Sequence, residues 1–175
     1  QVTMAYEYGI RDLWIVNVGD IRPDELPLSY FMALAYDFES MGTGHANETD
    51  LFLVSWVEQQ FGAHIKDEET KKEIADVLRE YTRIHGMRRP EAMNPEVYHR
   101  SHFNETKRMI ERCTKLMQQT ENLQIKIPEA SKDAFYGLVY YPAVAGMNLQ
   151  LMSLHAALAN WYAEYELSVA NTYDA

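Results

Sequence analysis

The sequence predicts a mainly α-helical fold: a helical bundle of about five helices preceded by one β-strand. Three observations lead there. Gly and Pro are few, at 8 and 6 of 175 residues, while 47% of the chain is apolar, enough for a sizeable core. Apolar residues recur at helical spacing from about residue 27 to about residue 170. One stretch breaks that pattern: "LWIVNVGD", residues 13–20, is apolar without interruption until Asn17 and then turns polar.

Residues 2–8 read as the end of a helix with Gly9 as its stop. Residues 13–18 read as a strand buried on both faces, and "GDIRPDELP" as a loop rich in turn residues. Pro27 fits the first turn of a helix running to about Phe38. A polar loop follows, in which Asn47, Thr49 or Asp50 suits a helix cap. The helix "LFLVSWVEQQF" then stops at Gly62. Residues 67–86 form a third helix: its first turn is acidic, Arg79 and Arg83 lie towards its end, and Ile74, Val77, Leu78, Tyr81 and Ile84 share a face.

A connector with two prolines leads to a helix from about Ser101 to Leu123, with Phe103, Met109, Ile110, Cys113, Leu116 and Met117 inward. "QIKIP" reads as an extended link. Pro128 opens a long helix in which Pro142 should cause a kink, because proline cannot bond to the carbonyl four residues back. A lone strand needs partners for its backbone. The chain is therefore expected to be part of a larger protein whose sheet lies mostly before residue 1. The other reading packs residues 13–18 as an irregular segment against the helices.

Net charge is −10 and the pI near 5.0, which argues against nucleic acid as a partner. No membrane partner is expected, since Pro142, Asn148, Gln150 and His155 interrupt the most apolar region. A single cysteine, Cys113, excludes an internal disulfide. No metal or cofactor is expected: His99 and His102 are too few for a metal site, and "GTGH" lacks a phosphate-loop frame. Two Asn-x-Thr patterns begin at Asn47 and Asn104. The Tyr and Met stripe between Phe135 and Tyr165 reads as core, with a sugar platform at Trp161 or Tyr162 as the rarer reading.

Three segments carry a family resemblance. "YGIRDLWIVNVGDIRPDELPLSYFMALAYDF", "IADVLREYTRIHGMRRPE" and "DAFYGLVYYPAVAGMNLQLM" appear in that order along nearly the whole chain. Together they resemble glycoside hydrolase family 115, the xylan α-1,2-glucuronidases. The resemblance implies an inverting enzyme that releases glucuronic or 4-O-methylglucuronic acid from xylan, with a (β/α)8 barrel followed by a helical bundle. Residues 1–26 would then be the last strand and loop of the barrel, and residues 27–175 the bundle. It also implies a secreted or periplasmic protein, a homodimer, and glucuronoxylan or an aldouronic oligosaccharide as the molecule bound.

In a barrel, binding groups sit where strands end. Asn17, Gly19 and Asp20 stand at such an end. There the Asn17 amide suits sugar hydroxyls, or else caps buried backbone, and Asp20 accepts from a hydroxyl or merely turns the chain. His85 and Arg89 form the second candidate pair, since an Arg grips a uronate carboxylate with two prongs. The family pattern has Asn at 85, Arg at 87 and Lys at 89, where this sequence has His85, Met87 and Arg89. The other reading of this pair is a solvated helix end. Inverting hydrolysis needs a carboxylic acid and a carboxylate with water between them. The resemblance puts both outside this chain, so the chain alone is expected to be inactive. The alternative function is a non-catalytic helical module for oligomerisation or scaffolding.

Overall fold

The structure is a computed structural model, and it describes residues 2–19, 21–22, 24–42, 44, 48–165 and 167–172. The described residues are mainly helical. In chain order come α1 (Val2–Glu7), α2 (Glu25–Tyr36), α3 (Phe38–Met41), α4 (Glu48–Phe61), α5 (Glu68–Met87), α6 (Glu105–Lys126), α7 (Lys132–Phe135) and α8 (Tyr141–Glu164). A π-helical turn, Tyr136–Tyr140, joins α7 to α8.

Local chemistry sets most of these limits. Gly9, at φ 92°, ends α1: its N–H bonds to Tyr6 O, and the Ile10 N–H reaches back to Ala5 O. This pair of bonds satisfies carbonyls that a helix end leaves open. Asp37 separates α2 from α3 and accepts from the Ser40 N–H. Asp67 caps α5, its carboxylate accepting from the Thr70 N–H at 2.9 Å and the Thr70 hydroxyl at 2.6 Å. Those two bonds hold the Asp67 carboxyl below its ordinary range.

The core lies between α4, α5, α6 and α8. Ile74, Leu78 and Ile84 of α5, Cys113, Leu116 and Leu123 of α6, and Met147 and Leu154 of α8 belong to one buried cluster. Phe61 at the end of α4 meets Phe135 edge-on. Burial pushes the Cys113 thiol up to about 11, which leaves it an unreactive packing residue.

Three expectations need correction. Phe103 is exposed rather than inward: α6 starts only at Glu105, and Phe103 and Asn104 both take φ of 52° ahead of it. Gln124, Ile125 and Lys126 complete the last turn of α6, so only Ile127 and Pro128 make the link. The last helical run, 129–164, changes type along its length and ends at Glu164, short of Ala170. A π-turn stands just upstream of Pro142. With no N–H at Pro142, the preceding turn widens to hold one more residue.

Residues 13–18 lie in no helix and pair with no strand among the described residues. Trp14 anchors them. Its ring packs on Tyr6, Phe31 and Phe38, and its indole N–H donates to Ile10 O at 2.7 Å. Leu13 and Ile15, on either side, point into solvent.

Candidate functional site

A cavity of about 670 Å³ opens between α2, α4, α5 and the start of α8. That is the size of a small-molecule pocket. Leu26, Pro27 and Tyr30 line it from α2, and Thr49, Asp50, Phe52 and Leu53 from α4. The second half of α5 supplies Arg79, Tyr81, Thr82, Arg83, His85 and Gly86, and Leu138 and Pro142 close the far wall. Helical spacing explains the α5 set, since residues three and four apart share a face.

The polar groups divide into those already engaged and those that are open. Arg79 is held by Asp50 and Asp76, and this pairing keeps the Asp50 carboxyl below its ordinary range. Asp50 therefore stays ionised and is a poor proton donor. The Tyr30 and Thr49 hydroxyls meet at 3.3 Å across the cavity wall, and the Thr82 hydroxyl donates to Leu78 O. Arg83 makes no ion pair among the described residues, although it lines the cavity.

His85 sits differently. Its ring lies 4.4 Å from that of Tyr81, and its Nε2 is buried with no hydrogen-bond partner. Burial pushes its pKa down, against a smaller upward pull from Glu91, so the imidazole is neutral at pH 7. The ring fits because α8 has no side chain at Gly146: a Cβ there would stand 2.6 Å from His85 Nε2. The cavity offers apolar walls, hydroxyls and the Arg83 guanidinium, which suits binding of a hydroxylated ligand.

Of the residues singled out from sequence, His85 lines this cavity. Arg89 is exposed outside it, at the extended position before the 3₁₀ turn Pro90–Ala92. Asn17 is exposed beyond the anchored Trp14 and does not reach the cavity. Asp20 lies outside the described residues, as does Asn47, the proposed cap of α4. Thr49 and Asp50 line the cavity instead of capping a helix.

Two residues near the site escaped the sequence reading. Gln150 is fully buried and donates from Nε2 to Arg88 O at 3.1 Å, tying α8 to the turn that carries Arg89. Gly146 makes room for His85. The signal was available: Gln150 falls three residues after Met147 and four before Leu154, on the core face of α8.

The family model of Glycosyl hydrolase family 115 matches residues 1–92, which is 92 of the 175 residues. No curated protein matches the chain. All four candidate residues, Asn17, Asp20, His85 and Arg89, fall inside the matched stretch, and so does most of the cavity lining. With more than half of its length matched, the chain belongs to Glycosyl hydrolase family 115.

Proposed function

We propose that this chain forms part of an enzyme releasing glucuronic or 4-O-methylglucuronic acid from xylan with inversion. Residues 1–26 end its catalytic barrel and residues 27–175 make the adjoining bundle. Asn17, Asp20, His85 and Arg89 contact the sugar, and the acid and base come from elsewhere in the barrel. Family membership is the observation that carries this reading.

The exposure of residues 13–18 supports it. Successive side chains of a strand point to opposite faces. Leu13 and Ile15 are 71% and 83% exposed, against 43% for Val16, while Trp14 packs on the helices. Trp14 is thus covered, while Leu13, Ile15 and Val16 show apolar surface that a neighbouring layer would bury.

The test is glucuronic acid release from glucuronoxylan by a protein that joins this chain to a barrel. Asn17→Ala should lower turnover about 10- to 100-fold, the effect of losing one or two hydrogen bonds to the reacting sugar. Unchanged turnover removes Asn17 from the site. The 175-residue chain alone should release nothing, and its residues 13–18 should exchange their amides faster than those of α5 and α6.

A further inference from the structure

The π-turn Tyr136–Tyr140 brings Tyr141 beside Tyr136, a pair that an α-helix would set on different faces. Residues five apart on an α-helix point about 140° away from each other. Here Tyr136 has its ring centroid 5.6 Å from Tyr140, nearly parallel, and 6.3 Å from Tyr141, five residues on. Tyr136 and Tyr141 are each 52% exposed.

Gly137 sits among them. It takes no left-handed φ, and a Cβ added to it would meet no atom within 4 Å. Neither backbone geometry nor packing requires a glycine here, although glycine inside a helix costs stability. What its absent side chain does provide is bare backbone within the turn that carries the tyrosines. A bare backbone of this kind lets a ligand come close.

We propose that Tyr136 and Tyr141, backed by the half-buried Tyr140, form a surface that stacks on the pyranose rings of a neutral xylan chain, using the bare Gly137 backbone for close approach. Family membership supplies the class of ligand, a glycan. The choice of xylan rests on the function proposed above. The three tyrosines are uncharged in a chain of net charge −10, which suits a neutral polymer better than a basic or acidic one. A sugar needs only a ring face and hydroxyl neighbours, and tyrosine offers an apolar face with a polar tip. The surface lies outside the cavity, whose lining includes none of the three tyrosines.

The 175-residue chain itself can be tested by electrophoresis through gels with and without dissolved linear xylan, and by titration with xylohexaose. The wild type should be retarded by xylan. Y136A/Y141A should lose the retardation and weaken xylohexaose binding at least tenfold, while Y136F/Y141F keeps most of both. Gly137→Leu should block binding, with a circular dichroism spectrum like that of the wild type, because the space around Gly137 is open. Wild-type migration that xylan leaves unchanged overturns the proposal, as does undiminished retardation of Y136A/Y141A. Retardation by hydroxyethylcellulose but not by xylan overturns the assignment to xylan. None of these readings involves turnover, so glucuronic acid release tests the enzymatic function separately.

Discussion

Ile74 and Ile15 are the same residue in opposite circumstances. Ile74 is wholly buried between α5 and its neighbours, whereas Ile15 is 83% exposed. The helices of the bundle bury their apolar faces against one another. The segment from residue 13 to residue 18 is as apolar but is only partly buried, at Trp14 and Val18. Hydrophobicity thus marks what each segment needs covered, and only the bundle meets that need from within the described residues.

Substitution can break or sharpen this contrast. Ile74→Ala should destabilise the chain by about 2–5 kcal/mol, read by urea unfolding, because the cavity it leaves cannot collapse. Ile15→Ser should stay within about 0.5 kcal/mol of wild type in the same assay. A large loss from Ile15→Ser would mean that residues 13–18 are already packed. Next in size is Gly146→Ala. Its new methyl would collide with His85 Nε2 and crowd Tyr81, and should cost about 1–3 kcal/mol. The double variant Gly146→Ala with His85→Ala should recover part of that loss if the two positions are coupled.

Capping gives a smaller effect. Asp67→Ala should lower the melting temperature by about 2–4 °C at pH 7. The folded Asp67 carboxyl titrates below its ordinary value of 3.8. Its contribution is therefore present above that pH and is lost as pH falls through the lower, folded pKa. The gap between wild type and Asp67→Ala should close in acid. Opposite in sign is Gly137→Ala, which should stabilise by about 0.5–1 kcal/mol, since its Cβ enters open space.

Much of the bundle was legible in the sequence. The 3.6-residue spacing of Ile74, Val77, Leu78 and Ile84 places α5, and Gly9, Gly62 and Asp67 mark the ends of α1, α4 and α5. What periodicity hides is any change of period. The widened turn before Pro142 follows from a missing N–H, but the sequence does not say whether the helix bends or inserts a residue. Phe103 was misplaced because an apolar residue beside a helix start looks like part of its face, and only the backbone angles put it outside. The site was less legible. His85 was found through a resemblance, whereas its setting depends on Tyr81, Gly146 and a cavity wall from α2 and α4. Such contacts join residues far apart in the chain, beyond the reach of any local pattern.

The bond from Gln150 to the Arg88 carbonyl has a consequence for folding order. It spans 62 positions, so the turn bearing Arg89 is tied to the bundle only after α8 has docked. Loop closure over that distance is slow relative to helix formation. Residues 88–92 should therefore be among the last parts of the bundle to settle during refolding, and among the first to loosen when α8 is weakened.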